Sequence, residues 1–201
     1  MRDDVVRFEY RVWGTELTAI RQRIDELAES RQQERVTDLY LLGPNTEVNA
    51  KVRDGSLEVK RLLPTGHGFQ RWKPSLRREP PFPVELVEEL LRRLGDGSGT
   101  VSDSRLPESL AVSDLIKATS NNGLHTIEVV KERQLFTVDG TRAESTRVDC
   151  KAGQWWTVAG ESTEADDLDR LVRRLGLDGL DNRSMNAHLY SELTATGESN
   201  Q

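Results

Sequence analysis

Asn49-Ala50-Lys51-Val52-Arg53-Asp54-Gly55-Ser56-Leu57-Glu58-Val59-Lys60 alternates charged and apolar residues on either side of an Asp-Gly pair. Side chains of a strand point alternately to opposite faces. Lys51, Arg53, Glu58 and Lys60 therefore share one face of a hairpin whose turn is Asp54-Gly55, and Ala50, Val52, Leu57 and Val59 line the other. Arg7-Phe8-Glu9-Tyr10-Arg11 repeats the scheme, as do Lys131-Glu132-Arg133 and the stretches around Glu144 and Glu161. A face carrying Lys, Arg and Glu together is costly to bury dry. It is explained by solvent, or by a wet cavity that holds a polyanion and its metal ions. The opposite face weighs against plain solvent: Phe8, Tyr10, Val12, Val129 and Val130 would pack under the helices with the hairpin's apolar residues, and a closed sheet would then put the charges inside.

Outward from the hairpin, the chain reads as about eight antiparallel strands with attached helices, an α+β arrangement. A first strand over residues 4–13 runs into Gly14-Thr15 and a helix with the stripe Leu17, Ile20, Ile24, Leu27 and Ala28, which Thr15 can cap. A second strand covers 37–42 and turns at Gly43-Pro44-Asn45. From Pro64 to Leu124 the pattern changes: Pro74, Pro80, Pro81 and Pro83 interrupt regular structure, and Trp72-Lys73-Pro74 reads as an extended crossing segment. Pro83 opens a helix with the stripe Val84, Val87, Leu90, Leu91 and Leu94, closed by Gly95. Asp96 to Arg105 reads as a mobile loop, and a helix follows near 109–119. Strands resume at 125–133, 134–139 and 142–150, with Asp139-Gly140 as a hairpin turn, and at 155–161. An amphipathic helix over 163–175 ends at Gly176, and a short helix at 184–193 precedes a polar tail. The expected organisation is one domain over 1–195, with 64–124 as a Pro-rich and helical insert and 196–201 as a frayed end.

The chain has 201 residues, enough for a sizeable core, and a net charge of -6 that gives no global attraction to nucleic acid or anionic membrane. No window approaches the roughly 20 apolar residues of a membrane span. Cys150 is the single cysteine, which excludes an intrachain disulfide and points to a reducing cytoplasm. Cys150 has no His or Cys at ligand spacing and reads as a plain small residue. His67, His125 and His188 are too scattered to form a ligand set, and no nucleophile elbow, phosphate loop or Cys-x-x-Cys pair occurs. Trp72, Trp155 and Trp156 can stack on a base, although half-buried core tryptophans are commoner. Arg92-Arg93 and Arg173-Arg174 fall late in helices, where they complement the helix dipole.

On the charged face, Arg7, Arg11, Lys51, Arg53, Lys60, Lys131 and Arg133 are the cations, and Glu9, Glu58, Glu144 and Glu161 the carboxylates. Phosphate chains are held by several Lys and Arg, and a hard divalent cation requires carboxylate oxygens at the same place. Such a set suits a triphosphate with Mg²⁺ or Mn²⁺. Against this stands the ordinary reading, in which alternating charges mark the solvated side of a half-buried sheet.

The order of these pieces resembles the CYTH, or triphosphate tunnel metalloenzyme, superfamily, which includes thiamine triphosphatases, inorganic tripolyphosphatases and class IV adenylyl cyclases. Its first-strand Glu-x-Glu-x-Lys is similar to Arg7-Phe8-Glu9-Tyr10-Arg11, and its basic strands to Lys51-Val52-Arg53, Leu57-Glu58-Val59-Lys60 and Lys131-Glu132-Arg133. Its acidic strands resemble Ala143-Glu144-Ser145-Thr146 and Val158-Ala159-Gly160-Glu161. Its closing element resembles Leu175-Gly176-Leu177 with Asn182-Arg183-Ser184. The resemblance implies a closed eight-stranded antiparallel tunnel-like barrel with peripheral helices, phosphate contacts from the seven cations, and Mg²⁺ or Mn²⁺ on Glu9, Glu58, Glu144 and Glu161. Four positions depart from it: Arg7 replaces the first glutamate, Arg11 a lysine, Thr146 a second acid and Met185 an aromatic residue.

Three functions follow as alternatives. One is hydrolysis of a triphosphate-containing compound, a nucleoside triphosphate or inorganic polyphosphate, by metal-bound water. The second is a catalytically inactive sensor of nucleotide or polyphosphate, which Arg7 and Thr146 favour. The third is a protein-interaction module with a solvated charged face. The expected partner is a phosphate-rich small molecule, with neither membrane nor nucleic acid; the sequence leaves the oligomeric state open.

Overall fold

In the computed structural model, which describes residues 5–64, 66, 68–96 and 106–198, β1 (Arg7–Gly14) leads into α1 (Thr18–Leu27) and β2 (Ser30–Leu42). The hairpin β3 (Val48–Arg53) and β4 (Ser56–Leu63) follows, then β5 (Gln70–Arg78). A short ribbon of β6 (Phe82–Pro83) and β7 (Ser109–Leu110) flanks α2 (Val84–Leu94), and α3 (Val112–Asn121) comes next. The long strands β8 (His125–Val138), β9 (Thr141–Cys150) and β10 (Gly153–Ser162) precede α4 (Ala165–Leu175) and α5 (Met185–Glu198). Eight strands pair in the order β1-β10-β9-β8-β2-β3-β4-β5, and β1 pairs with β5 to close the barrel. The fold is thus the α+β closed eight-stranded antiparallel barrel with peripheral helices that the family resemblance implies.

The local chemistry explains the best-read parts. Lys51 lies opposite Glu58 and Val52 opposite Leu57 across the β3–β4 hairpin. Its turn residues Asp54 and Gly55 have φ of 49° and 77°, and Asp139 and Gly140 repeat this with 49° and 73°. Positive φ at both positions matches the twist of flanking strands, and Asp-Gly tolerates it. Pro83 precedes the first residue of α2, and Gly95 caps its end.

Several boundaries differ from the sequence reading. β2 starts at Ser30, seven residues before the expected 37, because Ser30 to Gln33 are exposed on both faces and show no apolar alternation. Its start is fixed by backbone and polar contacts: Glu29 N–H donates to the Thr137 carbonyl at 2.9 Å, and Ser30 Oγ donates to Thr137 Oγ1 at 3.0 Å. β8 is one strand of 14 residues where two were expected. Its buried residues change face, from Ile127, Val129 and Lys131 to Phe136 and Val138, and that phase change reads as a break. β5 runs through Pro74 as part of the barrel, inside the stretch read as an irregular insert; proline's fixed φ is compatible with an extended strand where no ladder donor is needed. Thr15 does not cap α1, whose N-cap position is Leu17. Ser109 and Leu110 form β7 and not the first turn of a helix, and α5 continues to Glu198. The loop expected at Asp96 to Arg105 falls, from residue 97 on, outside the described residues, as do His67 and residues 199–201.

The chain divides into two compact units. The first comprises Met1–Thr37, Leu62–Lys73 and Val129–Met185. In its core, Tyr10, Val12, Phe136, Val138, Ala143 and Val158 of the strands meet Ile24 of α1 and Leu168, Leu171, Val172 and Leu175 of α4. Each such aliphatic side chain removed from water contributes about 1.5–3 kcal/mol. The second unit comprises Asp38–Arg61, Pro74–Glu128 and Asn186–Gln201. There Leu41, Ala50, Val52, Leu57 and Val59 pack against Val87, Leu90, Leu91 and Leu94 of α2 and Leu115 and Ala118 of α3. Gly43 permits this approach: a Cβ on it would stand 2.2 Å from the Leu94 carbonyl oxygen. Asn45 binds the same helix end, with its N–H 3.1 Å from that oxygen and its side-chain amide donating to the Arg93 carbonyl at 2.7 Å. Glu9, Arg11, Arg133 and Glu144 in the first unit, and Lys51, Arg53, Glu58 and Lys60 in the second, alternate with these core residues and so occupy the opposite strand faces.

Candidate functional site

Two ionic groups lie on these opposite faces, one within each unit. In the first unit, Glu9 and Arg11 of β1 are two residues apart and so point the same way. Arg11 Nε donates to Glu9 Oε1 at 2.8 Å, while Arg11 Nη1 donates to Glu144 Oε1 at 3.3 Å and to Thr157 Oγ1 at 3.4 Å. Thr146 Oγ1, two residues from Glu144 on β9, donates to the same Oε1 at 2.7 Å. Arg133 of β8 donates from Nη2 to Glu144 Oε2 and from Nη1 to Glu34 of β2. One guanidinium thus bridges Glu9 and Glu144, and another bridges Glu34 and Glu144. Burial alone would raise the Glu144 carboxyl; Arg11 and Arg133, with hydrogen bonds from Arg133 and Thr146, reverse this and hold it far below the usual carboxylate range. Burial likewise opposes the charge on Arg11, and Glu9 and Glu144 more than restore it.

β1 is held in place by the chain's closing element. Leu175 and Leu177 are buried, and Asn182 Oδ1 accepts the Arg11 N–H at 2.9 Å. Arg183 N–H donates to the Arg11 carbonyl at 2.9 Å, and Trp13 Nε1 donates to the Arg183 carbonyl at 2.8 Å. The Arg11 backbone is therefore clamped on the strand that carries its side chain into the ionic group.

In the second unit, Asp38 of β2 is fully buried. It accepts both arms of Arg53, from Nε at Oδ1 and from Nη2 at Oδ2 (2.7 Å), and Lys51 Nζ lies 3.4 Å from Oδ2. Glu58 sits across the hairpin, 3.4 Å from Lys51 Nζ and 3.9 Å from Arg77 Nε. Lys60, next along the same face of β4, makes no ion pair among the described residues. Burial lowers the Lys51 ammonium; Asp38 and Glu58 counter it, whereas Arg53 and Lys60 reinforce it. Cations outnumber carboxylates in this group, Lys51, Arg53, Lys60 and Arg77 against Asp38 and Glu58.

Of the other residues singled out from the sequence, Lys131 is buried on β8 opposite Val148. Glu161 lies opposite both Glu9 and Arg142, and pairs with Arg142 at 3.8 Å. Arg7 opens β1 opposite Trp72 and makes no ion pair among the described residues. The sequence reading missed Asp38 and Glu34. The signal was available for Asp38, which shares a strand face with Tyr40 by the same alternation. Glu34 lies in the part of β2 that gave no pattern.

The carboxylates in their present state do not fit a divalent cation. Both oxygens of Glu144 are engaged by guanidinium groups, and Glu9 is tied to Arg11. No group of three His, Cys, Asp or Glu is arranged to hold a metal ion among the described residues. No described helix is long and apolar enough to cross a membrane.

No family model and no curated protein matches the chain. Solved structures do. A candidate adenylate cyclase from Bacillus halodurans superposes with a TM-score of 0.50 at 9% identity, over 91% of this chain and 96% of that one. The PH1012 protein of Pyrococcus horikoshii gives 0.48 at 17% identity, over 89% and 96%. A Hippeastrum protein named as an adenylyl cyclase with a dominant triphosphatase activity gives 0.44 at 10%, over 93% and 95%. At such identities the likeness is one of fold. The chain shares a closed-barrel fold with the candidate adenylate cyclase from Bacillus halodurans.

Proposed function

We propose that the chain binds a triphosphate-containing anion, a nucleoside triphosphate or inorganic polyphosphate, and that Lys51, Arg53 and Lys60 of the β3–β4 hairpin carry the recognition. The observation behind this reading is the charge imbalance of the second unit's group, where the half-buried Lys51, its side chain 12% exposed, stands beside two other cations and its charged form is disfavoured. A phosphate chain would supply the missing negative charge to Lys51 and Lys60. Arg53 would act largely through Asp38, which already fills its fork. Phosphate contacts from Arg7, Arg11, Lys131 and Arg133 rest on the sequence resemblance alone. So do metal contacts from Glu9, Glu58, Glu144 and Glu161. The single cysteine keeps a cytoplasmic address as our reading, and the net charge of -6 keeps nucleic acid off the list of partners.

Thermal unfolding with tripolyphosphate, ATP and GTP, each with and without Mg²⁺ or Mn²⁺, tests this when free phosphate is followed in the same wells. A ligand at about 100 times its Kd adds about 2.7 kcal/mol to the native state. Stabilisation is the expected result. Phosphate release alongside it identifies a hydrolase, and stabilisation without release identifies a sensor. No shift with any polyanion overturns the proposal and leaves the charged faces to solvent or a protein partner.

A further inference from the structure

We infer that Arg11 and Arg133 are resident counter-cations of Glu9, Glu34 and Glu144, so that this group is closed to divalent cations in the native protein and opens to them when a guanidinium is removed. The inference concerns the first unit's ionic group and does not depend on the anion reading.

Its basis is the way the oxygens are used. Mg²⁺ and Mn²⁺ are hard ions that need several oxygen ligands converging at about 2.0–2.2 Å. Glu144 Oε1 already receives Arg11 and Thr146, and Oε2 receives Arg133. To bind there, an ion would have to displace a guanidinium that is itself almost wholly buried: Arg11 is 5% exposed. Arginine cannot escape by losing its proton, so displacement would leave a buried and uncompensated positive charge next to the incoming ion. The choice of arginine matters. Its fork lets one side chain serve Glu9 from Nε and Glu144 from Nη1, whereas a lysine presents a point charge that shifts its pKa readily when buried. The same two guanidinium groups and Thr146 hold the Glu144 carboxyl below the usual carboxylate range, which favours the paired, ionised form.

The test uses Mn²⁺ alone, without phosphate, on the full chain. Free Mn²⁺ is counted by electron paramagnetic resonance, and unfolding is followed in parallel. The wild type and Glu144→Gln are expected to behave alike, with no Glu144-dependent binding at millimolar Mn²⁺. Arg11→Met removes the charge but keeps much of the volume; it is expected to gain a site at least tenfold tighter, with a Mn²⁺-dependent rise in Tm. That gain is expected to vanish in the Arg11→Met/Glu144→Gln double variant. Should Arg11→Met fail to fold, Arg133→Met poses the same question from the other side of Glu144. The inference is overturned if the wild type binds Mn²⁺ and Glu144→Gln abolishes it, or if the folded arginine variants gain nothing. Because no anion is present, a failure here is separate from a failure of polyphosphate binding.

Discussion

The two ionic groups have the same kernel and opposite coats. In the first unit the kernel is Glu144 between Arg11 and Arg133; in the second it is Asp38 between Arg53 and Lys51. Each is one buried carboxylate held by two cations. Around Glu144 stand further carboxylates, Glu9 at 13% and Glu34 at 31% side-chain exposure. Around Asp38 stand mainly cations, with Arg77 at 56% exposure and Lys60 beyond it. A buried charge needs immediate partners whatever its surroundings, so the kernels look alike. The coat is in contact with water and is free to take either sign. On the anion reading, the cationic coat of the second group would draw a phosphate chain, whereas the arginines of the first kernel would keep a divalent cation out despite the acidic coat. A strand's alternation shows which residues share a face, but not which of them pair in the kernel and which form the coat.

The comparison breaks most visibly if the kernels are not equivalent. Removing one partner of a buried ion pair typically costs about 3–5 kcal/mol. Glu144→Ala and Asp38→Ala are each expected to lose about that much by chemical denaturation, or about 6–20 °C in Tm for a chain of this size. A mild effect at one site and a severe effect at the other would show that the two are built differently.

Acid unfolding sharpens the same point. The folded Glu144 carboxyl lies far below its unfolded value. Its contribution is therefore complete above about pH 4–5 and is lost as the pH falls further. Glu144→Gln is expected to flatten the fall of Tm with decreasing pH in that acidic range, apart from any constant loss. An unchanged slope in a Tm series below pH 5 would contradict the guanidinium-bridged kernel.

The smallest effect on stability is expected at the lysine of the second kernel, because Arg53 alone already engages both oxygens of Asp38. Lys51 has a folded value below its unfolded one, so its charged form costs stability at neutral pH and the cost fades as pH rises through the alkaline range. Lys51→Met should change stability by no more than about 1 kcal/mol and should remove that alkaline gain. It should nevertheless abolish most of the Tm shift produced by tripolyphosphate. Retention of the full shift would move recognition away from the hairpin.

What was legible in the sequence is what is local. Asp54-Gly55 and Asp139-Gly140 fix their hairpins within a few residues, and the face shared by Glu9 and Arg11 follows from spacing two. The partnerships were not legible, because Arg11 meets Glu144 across 133 positions and Arg133 meets Glu34 across 99. Alternation assigns each residue a face but is silent on register between distant strands. Glu9 and Glu144 consequently read as open carboxylates, although both are held by arginine. β5 was hidden by Pro74, and the first half of β2 by exposure on both faces; in neither case does a buried apolar row betray the strand.

The clamp of Asn182 and Arg183 on Arg11 has a consequence for the chain as it is made. β1 precedes the other strands of the barrel along the chain, yet its neighbours are β5 and β10, and its backbone is fastened by residues about 170 positions later. Loop closure over such a span is slow, and the pairing edge stays open until then. Of the barrel strands, the earliest made is fastened by residues that follow the last. Until residues 182 and 183 arrive, Arg7, Glu9 and Arg11 would keep that edge hydrated and out of a wrong sheet, as charged residues on exposed strand edges do.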